Sequence, residues 1–137
     1  MQPLPSNQPR KQRFPLKKHR MTGDDFKRAY AKGSRARGGL MTVAVCENGL
    51  GISRMGLSIG KRCQKSAVKR NRVRRVFREA FRLSLQELPV GIDVVLIGST
   101  PKIEPNLADT MQELESMVRK AHRRYLAKRA EQAEAGA

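Results

Sequence analysis

Arg70, Arg74, Arg78 and Arg82 recur every fourth residue, so on a helix they form one ridge. The stretch that holds them, Lys61 to Arg82, carries ten basic residues and a single acid, Glu79. A solvated helix face normally places Glu one turn from Lys or Arg, and here the compensating acids are missing. Guanidinium groups on adjacent turns repel one another. The arrangement becomes favourable where each can fork onto a phosphate. The stretch therefore reads as a nucleic-acid-binding face, whose affinity should fall steeply with salt as displaced counterions compete. Asn71 sits between Arg70 and Arg72. It is either a plain helix-surface residue or a donor and acceptor for a ribose hydroxyl or base edge.

Phe26 and Tyr30 lie four residues apart on another predicted helix, nearer the N-terminus. Such a pair packs in a core or, if partly exposed beside a basic cleft, stacks single-stranded bases at about 1–3 kcal/mol each. Hydrolytic chemistry has less to work with. Asp24 and Asp25 read as helix-start residues, and Asp93 stands alone at a strand entrance. No carboxylates cluster in the manner of two-metal hydrolysis. Cys46, Cys63, His19 and His122 are isolated, without the spacing of a zinc site. Catalytic residues in the protein are not expected, and neither is a protein-held metal.

These side chains need a scaffold, and 137 residues suffice for one domain. Net charge is +17, from 29 Lys and Arg against 12 Asp and Glu. So large an excess strains a compact state unless a polyanion relieves it. Two thiols without a secretory signal fit a reducing cytoplasm, and no apolar run is long enough to span a bilayer.

Residues 1–15 hold four prolines among polar and basic residues and predict a flexible basic arm. The folded domain is expected over 16–128, with a frayed tail over 129–137. A first helix starts at Thr22 with Asp25 completing a capping box, and Gly33 offers a left-handed stop. "LMTVAVCE" (40–47) and the alternating "RMGLSIG" (54–60) read as antiparallel strands. Between them Asn48-Gly49 gives a hairpin signal. A second helix runs from about Ser66 to Leu88, with Val73, Val76, Phe77, Ala80, Phe81 and Leu88 facing inward. "IDVVLIG" (92–98) predicts a strand buried on both faces. A third helix spans roughly 106–128, with Leu107, Met111, Leu114, Met117 or Val118, Ala121 and Tyr125 inside. The order predicts one α/β domain with helices over a small mixed sheet.

The run "KR…AVKRNRVRRVFREAFR" resembles the signature of the protein subunit of bacterial ribonuclease P. "RMGLSIGKR", "ELPVGIDVVLI" and "FPLKKHRMTGDDF" resemble its flanking segments, so the likeness covers roughly residues 13–125. It implies an α/β (α+β) two-layer sandwich of order α-β-β-β-α-β-α, similar to a domain of a ribosomal protein, with a left-handed βαβ crossover. A third short strand would then lie near 35–38 or 50–53. The resemblance also implies removal of the 5′ leader from precursor tRNA by a ribonucleoprotein. In it the catalytic RNA does the chemistry with Mg²⁺, and one protein serves each RNA. Lys61, Arg62, Lys65, Arg70, Asn71, Arg72, Arg74, Arg75 and Arg78 would contact RNA, and Phe14, Phe26 and Tyr30 the leader. Two other readings stay open: a ribosomal or chaperone-like RNA-binding protein, and an autonomous nuclease.

Overall fold

The computed structural model describes residues 20–136. Phe14, His19 and the arm predicted over 1–15 lie outside the described residues. The elements are α1 (Gly23–Lys32), β1 (Ser34–Arg37), β2 (Thr42–Glu47), β3 (Arg54–Ser58), α2 (Ala67–Ser84), β4 (Ile92–Ile97) and α3 (Leu107–Gly136). This is the α-β-β-β-α-β-α order expected, with the short third strand at 34–37.

Thr22 caps α1 as the sequence predicts. Its hydroxyl accepts from the Asp25 amide at 3.4 Å, and the Asp25 carboxylate accepts from the Thr22 amide at 2.7 Å. Ser66 caps α2, accepting from the Lys69 amide at 3.3 Å. α2 ends at Ser84, earlier than expected, and a 3₁₀ turn at Leu85–Glu87 carries the chain to Leu88. α3 continues through the predicted tail to Gly136, and Leu107 at its start is exposed rather than inward.

The sheet order is β1-β2-β4-β3. β1 pairs with β2 and β2 with β4, both antiparallel, while β3 pairs with β4 in parallel. The hairpin expected from Asn48-Gly49 is therefore not formed. The turn exists, with Asn48 Oδ1 accepting from the Leu50 amide at 2.7 Å, but β4 inserts between the two strands. A turn signal reports local geometry; β2 and the apolar β4 are both buried on both faces and take the two central positions, which leaves β3 at the edge.

Gly33 also differs from expectation. It is extended (φ −78°, ψ 166°), not left-handed. Its glycine identity answers a close approach instead: a Cβ there would meet the Ala29 carbonyl oxygen at 2.4 Å and the Val45 carbonyl oxygen at 2.9 Å.

One sheet face, with Ala36, Val43, Val45, Met55, Ile92, Val94 and Leu96, packs on Val73, Phe77, Ala80 and Phe81 of α2. Leu114, Val118 and Ala121 of α3 complete that core. Phe77 and Phe81 are fully buried, worth roughly 1.5–3 kcal/mol each, and they hold α2 so that its basic side faces outward. The opposite face, through Ala44, Cys46 and Val95, packs on Met21, Phe26 and Ala29 at α1, with Tyr125 alongside.

Candidate nucleic-acid interface

The outer side of α2 carries Asn71, Arg72, Arg75 and Arg78, all exposed. Among the described residues, no hydrogen bond or ion pair is recorded for Arg72, Arg75 or Arg78. Three bare guanidinium groups on one rigid helix are thus available to phosphates without first breaking an internal pair. The remaining members of the predicted ridge have other employment. Arg70 Nη1 donates to the carbonyls of Gln64 (3.0 Å) and Lys65 (2.8 Å). Arg74 Nη2 donates to the Ile59 carbonyl at 3.0 Å, and its Nη1 to Asn71 Oδ1 at 2.8 Å. These two arginines tie the helix to the turn before it. Arg82 is paired with Glu79, and its hydrogen bond holds the Glu79 carboxyl below its ordinary pKa. The i, i+4 ridge therefore ends functionally before Arg82.

Lys61, Arg62 and Lys65 are exposed on the turn that joins β3 to α2. The turn is braced by the loop at Lys102 and Ile103. The Lys102 amide donates to the Cys63 carbonyl at 2.7 Å, and Gln64 Nε2 to the Ile103 carbonyl at 2.8 Å. Its cations are presented by a fixed backbone, which lowers the entropy lost on binding.

Phe26 and Tyr30 lie on the other side of the sheet. Register puts Ala44, Val95 and Gly56 side by side across β2, β4 and β3. Gly56 leaves the space that the Phe26 ring fills: a Cβ there would stand 2.3 Å from Phe26 Cζ. Phe26 is thus half-buried, whereas Tyr30, 39% exposed, projects past it with ring centroids 6.4 Å apart. The sequence left core and platform open for the pair; Phe26 is mostly core, and Tyr30 presents a ring to solvent. Arg35 places its guanidinium carbon 5.2 Å from the Tyr30 centroid, a cation–π contact. The next row of the sheet, Thr42, Ile97 and Ser58, is only half-buried. It forms a floor beside α1 that leads from the rings toward the basic turn.

A polar network that the sequence reading missed fixes α1 over that floor. Asp93 is not alone: it is fully buried, and Arg28, Arg54 and Asn48 all donate to it. Arg54 reaches Asp93 at 2.9 and 2.8 Å and Asp25 at 3.0 Å, while Arg28 Nη2 lies 2.7 Å from Asp93. Burial would raise the Asp25 pKa, but its bonds to Thr22 and the charge of Arg54 outweigh this and lower it. The available signal was a charged residue inside an otherwise apolar strand, which demands a counter-charge. His122 Nε2 lies 3.7 Å from the Glu47 carboxylate.

These carboxylates do not make a metal site. Asp25 and Asp93 are occupied by arginine, and among the described residues no group of three His, Cys, Asp or Glu could hold an ion. No helix among those described is long and apolar enough to cross a membrane.

A family model described as Ribonuclease P matches residues 14–122. A Ribonuclease P protein component from a Pseudanabaena species is 32% identical over 99 residues, covering 72% of this chain and 85% of the relative. One from Caldanaerobacter subterraneus is 33% identical, covering 70% and 82%. The RNase P protein of Staphylococcus aureus superposes with a TM-score of 0.64 at 27% identity, over 75% of this chain and 94% of its own. The RNase P protein of Thermotoga maritima, at 24% identity and a TM-score of 0.64, shares the fold. A half-exposed aromatic pair, a braced basic turn and an unpaired arginine face thus stand on a scaffold that those proteins share, and the chain belongs to the Ribonuclease P protein family.

Proposed function

We propose that the chain serves its family's reaction, endonucleolytic removal of the precursor-tRNA 5′ leader, as a non-catalytic subunit that docks on the catalytic RNA through α2. The observation that carries this is the triplet Arg72, Arg75 and Arg78, exposed and free of carboxylates on a helix anchored by Phe77 and Phe81. Asn71 and the Lys61, Arg62 and Lys65 turn extend the contact; Arg70 and Arg74 shape it and add charge. The RNA-binding unit is taken as residues 16–128.

Phe26 and Tyr30, with Phe14 of the preceding segment, would hold the single-stranded leader above the Thr42, Ile97 and Ser58 floor. Guanidinium groups lodged between two polyanions screen their mutual repulsion, which raises substrate affinity. Mg²⁺ belongs to the RNA in this reading, because the protein's buried acids are already neutralised by arginine. One protein per RNA and a cytoplasmic setting complete the proposal.

Reconstitution with the RNA subunit of the same organism tests it. The protein should tighten precursor-tRNA binding and accelerate leader removal, and should cleave nothing by itself. Cleavage by the protein alone, or selective retention of ribosomal RNA in place of the ribozyme, would overturn the reading.

A further inference from the structure

The C-terminal half of α3 holds a second basic run. From Arg119 to Arg129 there are six Lys or Arg and no acid, whereas the acids of this helix lie before and after, at Asp109, Glu113, Glu115, Glu131 and Glu134. The family-model match runs to residue 122, so Lys120 lies within it and Arg124 and Lys128 lie beyond it.

The side chains sort by direction. Arg119 reaches back to the Glu87 carbonyl beside α2, and Arg129 pairs with Glu47. Lys120, Arg124 and Lys128 fall at i, i+4 and i+8 and form a ridge, with steps of about 6 Å along the axis. That ridge faces β1, because Arg124 Nη1 donates to the Arg35 carbonyl at 2.6 Å. Arg35 in turn lies over the Tyr30 ring. Arg35 and Arg37 alternate on β1 and are both exposed. Among the described residues, no hydrogen bond or ion pair is recorded for Arg37, Lys120 or Lys128. A continuous cationic strip therefore runs from Tyr30 over the edge of the sheet and down α3.

Charges on an edge strand are a common defence against strand-to-strand aggregation. That role accounts for Arg35 and Arg37. It leaves three more cations, aligned on the neighbouring helix and adding to the repulsion, without a purpose.

We propose that Arg35, Arg37, Lys120, Arg124 and Lys128 form a second RNA track, which takes the sugar-phosphate backbone of leader nucleotides that extend beyond Tyr30. Single-stranded RNA suits the strip because it is a single row of cations, with Tyr30 as the stacking platform at its entrance. The inference rests on the proposed function, since it lengthens the leader path given there.

The test uses the reconstituted ribonucleoprotein and two precursor tRNAs, one with a full-length leader and one truncated just upstream of the cleavage site. The triple variant Lys120→Gln, Arg124→Gln, Lys128→Gln should bind the full-length substrate about 10-fold more weakly at physiological salt, with a salt slope shallower by about 2. Affinity for the truncated substrate should not change. The double variant Lys120→Gln, Lys128→Gln removes no recorded bond, and should show the same selective loss in smaller measure. Equal losses on both substrates, or no loss on either while the unaltered protein still prefers the full-length leader, would overturn the second track alone. An unaltered protein that neither prefers the full-length leader nor aids the RNA subunit would overturn the proposed function instead.

Discussion

Asp93→Ala removes the carboxylate that joins α1, β3 and the turn after β2. The side chain is fully buried and accepts four bonds of 2.7–2.9 Å, two from Arg54 and one each from Arg28 and Asn48. Breaking one partner of a buried pair costs roughly 3–5 kcal/mol, because the other charge stays desolvated. Three facts place this case at the low end. Arg54 keeps Asp25 at 3.0 Å, and the Arg28 side chain is 38% exposed and regains water. Asn48 also retains the Ile52 carbonyl at 3.1 Å. The expected loss is therefore about 3 kcal/mol, or roughly 10 °C in Tm for a domain of this size. Urea unfolding of Asp93→Ala, Arg54→Met and the double variant measures both the loss and the coupling. The double variant should be much less damaged than the sum of the singles, since the Arg28 and Asp25 it leaves behind already lie 3.5 Å apart and can pair. A loss below about 1 kcal/mol, or strict additivity, would refute the claim that this network clamps α1 to the sheet.

Gly56→Ala should push the Phe26 ring out of its seat, costing about 1–3 kcal/mol, and weaken leader binding while sparing affinity for the RNA subunit. Unchanged leader affinity in that variant would remove Phe26 from the leader path. Acid should destabilise the fold through Asp25 and Glu79, whose pKa values are lowered on folding. A lowered native pKa adds stability above the unfolded value, 3.8 for Asp25 and 4.5 for Glu79, and that stability is lost as pH falls through the native value. Stability measured by urea melts should thus hold from neutrality to about pH 5 and fall below it, with a shallower fall in Asp25→Asn. A fall of the same steepness in the variant would take Asp25 out of the account.

The legible parts of this molecule were those encoded locally. Thr22 with Asp25, and Ser66, announce helix starts within four residues. The Val73, Phe77 and Phe81 spacing announces a buried stripe, and "IDVVLIG" a central strand. The illegible parts depend on distant partners. Nothing near Asp93 in sequence hints at Arg28 or Arg54, which lie 65 and 39 residues away. Likewise, Asn48-Gly49 could turn the chain but could not reveal that β4 would occupy the place beside β2. Gly33 fits a helix stop by type, and only the packed structure shows it yielding space to two carbonyls. In α3 the charges nearly cancel when summed over the helix, which concealed the basic run until the backbone showed which side chains face β1. For the candidate site, the α2 arginines were visible as a group. Their division into bare, bracing and paired members was not, because it depends on carbonyls of the preceding turn.

The central claim is that bare guanidinium groups on α2 grip the catalytic RNA. Its most direct test is the salt dependence of RNA-subunit binding by the protein and by the Arg72→Gln, Arg75→Gln, Arg78→Gln variant. With about 0.7–0.9 per neutralised phosphate, the variant should bind more weakly and lose roughly 2–3 from the slope of log K against log salt, while its melting curve stays intact. An unchanged affinity and slope in a folded variant would contradict the account.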